Sequence, residues 1–349
     1  MRYYKIAVTP AGSTAAPIIY QSHPNGVQQP PDPGALNVEL ALYGGVAGLP
    51  GGGDDTANYV RIWGIPITTI SQAHNLNGSA ITVSGGMGVG LPLATAESAY
   101  AGVLAIGTVY QAFGNWIGTN QTLDLVIVGT TNQTTQTTFP YAPPKNIVFN
   151  WKAGTPMGQA IAQTLSVAYP GYPQDVKVSP NLVLDRDEVG IYSSLQIFSQ
   201  FVRELSQAYG SAGVDVSYVG NGFRVYDGSQ PPAAKQLQFI DLIGQPTWSS
   251  AGTLQATCVM RSDIQLGDMV TMPFQSSSGA AGIVVTTPQS YSNTRQGSIF
   301  SGSFKVQKVR HVGNFRQPDA TSWVTVMDLT IPSPAFPIGQ PANIVASGP

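Results

Sequence analysis

The sequence predicts a mainly β protein in which a small α+β unit is inserted between two β segments, each a barrel or a sandwich. Three observations predict it. Only 10% of the 349 residues are charged, against roughly 25% in typical soluble domains. The chain carries 39 glycines and 27 prolines, which break it often. Helical apolar spacing is confined to one stretch near the middle. Exposed helix faces are usually rich in Glu, Lys and Arg, so a low-charge, turn-rich chain suits strands whose surface is partly buried in an assembly. With 42% hydrophobic residues a packed core is within reach, and wholesale disorder is disfavoured.

Charge is unevenly distributed. From Ile62 to Pro144 the only acids are Glu97 and Asp124, and there is no Lys or Arg. Ordinary charge density returns at Lys145, just after the Pro140-Tyr-Ala-Pro143-Pro144 break. A second break, Gly228-Ser-Gln-Pro231-Pro232, follows. These shifts predict a first β segment over 1–145, an α+β segment over 146–232, a second β segment over 233–331, and a charge-free tail over 332–349. The prolines of that tail exclude a regular helix or a central strand.

In the first segment the spacing predicts strands at Tyr3–Thr9, Ile18–Gln21, Asn37–Tyr43, Tyr59–Trp63, Ala80–Ser84, Val103–Tyr110 and Leu123–Val128, and no capped helix. In the middle, Thr155 before Pro156 predicts a capped helix start. Met157, Ala160, Ile161, Leu165 and Ala168 follow at helical spacing, and Pro170-Gly171 ends the run. A second helix starts at Ser193 or Ser194, with Leu195, Phe198, Val202, Leu205 and Tyr209 on its apolar face and Gly210 as its stop. Asn221-Gly222 then predicts a type I′ hairpin. In the third segment strands are expected at Leu237–Ile243, Leu254–Met260, Met269–Met272, Gly282–Thr287, Ser303–Val312 and Ser322–Ile331. Phe304 and Val306 share one parity while Val309 and His311 share the other, so a β-bulge is expected between them.

Chemistry-bearing motifs are mostly missing. Gly85-Gly86-Met87-Gly88-Val89-Gly90 places leucine where a dinucleotide fingerprint needs its third glycine, and Pro92 blocks the helix that should follow; a glycine-rich turn or loop is the expectation. His23, His74 and His311 stand in three unrelated contexts with no nucleophile motif around them. The single cysteine, Cys258, excludes an internal disulfide and a thiolate zinc cage. Asp185-Arg186-Asp187-Glu188 is the densest acidic run, but it lacks a calcium-loop pattern and reads as a solvated turn. Lys305, Lys308, Arg310 and Arg316 are too few for nucleic-acid binding and read as exposed strand charge or a protein contact. The formal net charge of −2 draws the chain neither to nucleic acid nor to an anionic membrane. The expectation is no enzyme, no catalytic, cofactor-binding or metal residue, no cofactor, and no direct membrane insertion. Asn77, Asn120 and Asn132 head chance glycosylation triplets, because no secretory signal is evident.

Leu242-Ile-Gly-Gln-Pro246-Thr-Trp248, Cys258-Val-Met260-Arg261-Ser-Asp263-Ile-Gln-Leu266-Gly267-Asp268-Met-Val270-Thr-Met-Pro273, and Gly302-Ser-Phe304-Lys-Val306-Gln-Lys-Val309-Arg-His311-Val-Gly313 closed by Arg316-Gln-Pro318-Asp319 and Trp323 resemble the baseplate hub proteins of contractile-tailed phages. The resemblance covers roughly residues 237–331; the first segment is similar in character only. It implies two tail-tube-like β-barrels per chain and a homotrimeric ring that joins a sixfold tail tube to a threefold central spike. It also implies baseplate wedge proteins as neighbours, DNA passing only in transit through an axial channel, assembly in the host cytoplasm, and residence in the virion. A tail-tube or tube-initiating protein, and a β-rich carbohydrate-binding or adhesive virion protein, remain as alternatives. Independently of any family, Leu266-Gly267-Asp268 reads as a tight turn, with glycine at positive φ and aspartate bonding back to the chain.

Overall fold

A computed structural model describes residues 1–11, 16–46, 58–88, 100–129, 146–219, 222–250, 252–273 and 302–331. The protein is mainly β. In the first segment, β1 (Arg2–Thr9), β2 (Ile18–Gln21), β3 (Val38–Gly45), β4 (Asn58–Trp63), β5 (Ala80–Met87), β6 (Gly102–Ile117) and β7 (Asn120–Gly129) form antiparallel ladders. Strand side chains alternate between faces. Tyr4, Ile6 and Val8 of β1, Val38, Leu40 and Leu42 of β3, Val60 and Ile62 of β4, Ile81 and Val83 of β5, and Leu123, Leu125 and Ile127 of β7 all point into one core. A short helix α1 (Ile67–Ser71) and a 3₁₀ turn, Ala73–Leu76, close one side of that core through Ile70, Ala73 and Leu76. No helix was expected there; five residues are too few to show a helical apolar period.

The middle segment has its own core. It comprises β8 (Ile147–Trp151), α2 (Met157–Ala168), β9 (Gln174–Lys177), β10 (Glu188–Tyr192), α3 (Leu195–Ala208), β11 (Asp215–Val219) and β12 (Gly222–Tyr226). Ser194 caps α3, its hydroxyl accepting from the Ile197 amide. Leu195, Phe198 and Val202 are buried, Leu205 is half-buried, and Gly210 ends the run at φ +78°. The start of α2 differs from expectation. Pro156, not Thr155, holds the cap position, and no side chain caps the helix. The Met157 amide instead donates to Leu182 O at 2.9 Å, so a neighbouring segment satisfies a donor that a cap would otherwise take. The β11–β12 register pairs Val219 with Gly222. Gly222 therefore belongs to β12 rather than to the expected Asn221-Gly222 turn, and residues 220–221 lie outside the described residues.

The third segment supplies β13 (Lys235–Gln236), β14 (Thr247–Ser250), β15 (Thr253–Val259), β16 (Met269–Met272), β17 (Gly302–Asn314) and β18 (Trp323–Thr330). Leu254, Ala256, Cys258, Val270, Met272, Phe304, Val306, Met327 and Leu329 make a third core. The expected bulge is present: the β17–β18 register shifts between Val306 and Lys308, which lets Phe304, Val306, Val309 and His311 all turn inward. Leu237–Ile243 is not a strand. Leu237 N donates to Thr271 O and Ile243 N to Thr257 O, while Phe239–Asp241 between them curls into a 3₁₀ turn that buries the Asp241 carboxylate. The expected strand at Gly282–Thr287 and the proline-rich tail from 332 lie outside the described residues.

The first and third segments share one sheet. Its strands run β14-β15-β18-β17-β3-β4-β7-β6-β5-β1-β2, with β13 and β16 branching from β17. The join is β17 against β3, from Lys308 opposite Gly45 to Asn314 opposite Glu39. Gly85 and Gly86 continue β5 rather than forming a loop. Gly86 sits at φ +141°, and a Cβ there would meet the Tyr100 carbonyl oxygen at 2.0 Å, so only glycine lets the two chains cross this closely.

The middle core yields the first test. Phe198 is fully buried against Phe149 and Tyr192, so Phe198→Ala should cost about 3–5 kcal/mol in chemical denaturation. Leu205→Ala, at the half-buried edge, should cost less. Equal and small losses would show that this face is not a core.

Candidate functional site: a charged seam and an uncovered sheet

The residues singled out from the sequence stay apart. His23 is buried, with Nδ1 2.7 Å from the Ser22 hydroxyl. His74 is exposed in the 3₁₀ turn. His311 is buried in β17, with Nδ1 2.9 Å from Thr325 Oγ1. Burial alone pushes the His311 pKa down to about 4, so the ring is neutral near pH 7. Cys258 is fully buried, and burial pushes its thiol up to about 12. A thiol held protonated is a poor nucleophile.

The acidic run is spent on local structure. Asp185 accepts from the Tyr209 hydroxyl at 2.7 Å, Asp187 pairs with Lys152 at 2.7 Å, and Glu188 lies 3.8 Å from Arg186. The basic group is dispersed as well. Lys305 pairs with Asp215, Arg310 with Asp328 at 3.4 Å, and Arg316 donates to the carbonyls of Pro33 and Ala35. Lys305, Arg310 and Arg316 are therefore each engaged with a different partner. Among the described residues no group of three or more His, Cys, Asp or Glu is placed to hold a metal ion. No helix among them is long and apolar enough to cross a membrane.

Two polar clusters do assemble, and both sit where segments meet. The first links the first and third cores. Arg261 and Asp241 are both buried. The Arg261 guanidinium lies over the Tyr100 ring, 4.3 Å from its centroid, and is bidentate to Asp263 at 2.9 and 2.7 Å. Asp241 accepts from the Tyr100 hydroxyl at 2.6 Å and lies 3.6 Å from Arg261. Tyr100 belongs to the first core, so this cluster fastens it to the third segment.

The second cluster lies between the middle segment and the third segment, and it is reciprocal. Asp215 of β11 takes Arg203 from its own segment and Lys305 Nζ from β17 at 2.6 Å. Asp268 of the third segment takes Lys235 Nζ from its own side at 2.6 Å and Arg224 Nη1 from β12 at 2.8 Å. Arg224 also donates to Leu266 O at 2.8 Å. Lys305 Nζ sits 4.5 Å from the Tyr226 ring centroid, and the Tyr226 pKa is raised by burial and by nearby Asp215. Beneath that ring lies Gly267, at φ +80°, where a Cβ would come within 2.6 Å of the aromatic carbons. Asp268 bonds back to the Gln265 amide at 2.8 Å, so Leu266-Gly267-Asp268 is a tight turn, as its residues predict. The turn was legible in sequence; its partners Arg224 and Tyr226, some 40 residues earlier, left no local signal. A cleft of about 620 Å³ opens beside the seam, lined by Arg203, Tyr209, Asp227, Pro232, Met269 and Ile331.

Among the described residues, no strand pairs with the outer edge of β2 or β14 at the two ends of the large sheet. Ile18 and Ile19 of β2 are 36% and 47% exposed, and Trp248 of β14 is 44% exposed. Consecutive strand residues face opposite ways, so Ile18 and Ile19 reach solvent on both faces of β2. Neither end strand carries a charge. Tyr110, Phe113, Trp116 and Ile117 of β6 are exposed as well, Phe113 and Ile117 on one face and Trp116 on the other.

No family model matches the chain, and no curated protein matches it. Among solved structures it is similar to the tail protein from Neisseria meningitidis MC58, with a TM-score of 0.46, 11% identity, and coverage of 94% of this chain and 97% of that one. It is similar also to the 43 kDa tail protein of prophage MuSo2 from Shewanella oneidensis, with a TM-score of 0.46, 9% identity and coverage of 93% and 96%. A third is a chain of the Francisella PdpA-VgrG complex, with a TM-score of 0.47, 9% identity and coverage of 95% of this chain and 53% of that one.

The buried histidine sets a pH dependence. The folded pKa of His311 lies below its unfolded value of about 6.5, so the unfolded chain binds this proton first. Stability is then full above pH 6.5 and falls as the pH drops toward 4, by on the order of 3 kcal/mol from this group. His23 is shifted in the same direction, so the readout is a difference. His311→Gln should lose less stability than the wild type between pH 7 and 4.5 in urea melts. Parallel losses would show that His311 is not a buried neutral group.

Proposed function

We propose that the chain is a structural protein of a phage-tail baseplate hub, in which three copies form a ring that joins the tail tube to the central spike and leaves an axial channel for DNA. The observation that carries this reading is the large sheet whose charge-free end strands, β2 and β14, have no outer pairing partner among the described residues. Exposed sheet edges template pairing with another chain, and soluble proteins usually blunt them with charge, proline or a covering loop. Here Ile18-Ile19 stands at one end and Trp248 at the other. Different patches on one chain that meet head to tail give a heterologous contact, which closes into a ring when the rotation allows. Permanent interfaces are depleted in charge, as is the stretch from Ile62 to Pro144.

The resemblance of residues 237–331 to hub proteins supplies the tail context. Two barrels per copy would then offer six positions from three copies, matching a sixfold tube on one side and a threefold spike on the other. Baseplate wedge proteins would contact the outside. In this reading the chain's work is mechanical: rigid barrels hold an opening of fixed width, and no residue need act as acid, base or nucleophile. An adhesive, carbohydrate-binding role is the second reading, favoured by the exposed aromatic side chains Tyr110, Phe113 and Trp116 of β6, since aromatic faces stack well on sugar rings.

Cryo-electron microscopy of intact particles tests the hub reading. Three copies encircling the tail axis next to the tube are expected. A position off the axis, or a copy number other than three per tail end, would overturn it. Glycan binding lost on Trp116→Ala would then favour the adhesive role.

A further inference from the structure

We propose that the middle segment is a hinged module, held against the second barrel by the reciprocal charge triads of Asp215 and Asp268 and released when those triads are broken. This goes beyond the hub reading and does not depend on it.

Three observations converge. The middle segment buries its own core of Phe149, Trp151, Ile161, Phe198, Val202 and Val225. Among the described residues, its helices and strands make their extensive contacts with one another and not with strands of the large sheet. The β8–β10 and β9–β12–β11 sheets stay separate from that sheet. What crosses the seam is mainly polar: Arg224 to Asp268 and Leu266 O, Lys305 to Asp215, and Lys305 over Tyr226. The apolar part is small, with half-buried Val219 against the third core and Tyr226 over Gly267. Polar interdomain contacts of this kind permit relative motion by default. The chain leaves the module through Gly228-Ser-Gln-Pro231-Pro232, where Gly228 sits at φ +84° and a Cβ would touch nothing within 4 Å. The 620 Å³ cleft next to these residues leaves room for the module to move.

The triads suit a latch because each carboxylate serves two cations, one from each side. Asp215 and Asp268 are shielded from solvent, with side chains 4% and 3% exposed. Removing either carboxylate leaves two cations facing each other across a poorly solvated gap, which turns attraction into repulsion. Each side gives one carboxylate and one crossing cation, so both units keep an internal ion pair, Arg203–Asp215 or Lys235–Asp268, when they separate. Opening therefore strands no carboxylate without a partner, and the closed and open states are both polar-satisfied.

The test compares wild type with the Asp215→Asn/Asp268→Asn double variant, using small-angle scattering and hydrogen exchange on the full chain. Expected is a larger radius of gyration in the double variant. Amides flanking the seam, near 224–226, 266–268 and 304–306, should exchange about tenfold faster. Amides inside α2, α3, β15 and β18 should keep wild-type protection. Asp268→Glu, which keeps the charge, should behave as wild type. Unchanged scattering in the double variant would overturn the latch. Loss of protection throughout α2, α3 or β15 would also overturn it, by showing that the triads hold the fold rather than join two units.

Discussion

The antiparallel pairing of β17 with β3 is the constraint on which the rest of the structure depends. It brings residues 308–314 to residues 39–45 and turns two stretches at opposite ends of the sequence into one sheet. β17 also pairs with β16 and β18, so it holds both halves at once. The bulge after Val306 allows this. Without it, Phe304 and Val306 would face the third core while Val309 and His311 faced solvent, because a register slip of one residue inverts every side chain. Burial of His311 and of the Arg261–Asp241–Tyr100 cluster then follows from the same join. Trp323 Nε1 donating to Gly86 O at 2.8 Å ties the two halves again on the other side of the core.

The polar clusters divide the molecule into a rigid part and an attached part. Between the barrels, the polar groups lie inside continuous apolar packing, with Met260 and Trp323 of the third segment buried in the first core. Between the second barrel and the middle segment the polar groups carry most of the seam themselves. Apolar burial is roughly proportional to area and indifferent to direction, whereas ion pairs need both partners in place. The first junction therefore resists opening, and the second is switchable.

Much of this was legible in the sequence where the signal is local. Strand parity identified β1, β3 and β15 and even the β17 bulge; the Leu195-Phe198-Val202 stripe and Ser194 identified α3; Leu266-Gly267-Asp268 identified its turn. The resemblance in the third segment pointed to tail proteins without fixing how the strands connect. What stayed hidden depends on distant partners. The Thr155 cap was displaced because Leu182 O satisfies Met157, and Leu237–Ile243 curls because Tyr100 and Arg261 draw in Asp241. Neither carboxylate triad was visible, since Asp215 and Lys305 lie 90 residues apart. The short helix at Ile67–Ser71 is positioned by packing against the first core, not by its own spacing.

Through β17 and β3 the first and third segments should unfold as one cooperative body, which native-state hydrogen exchange across a urea series measures. The slowest amides of β4 and β7 and those of β15 and β18 should share a single opening free energy and a single urea dependence, with β3 and β17 exchanging in the same event. Two distinct free energies for the two segments, with the β17–β3 amides opening alongside the weaker one, would contradict it.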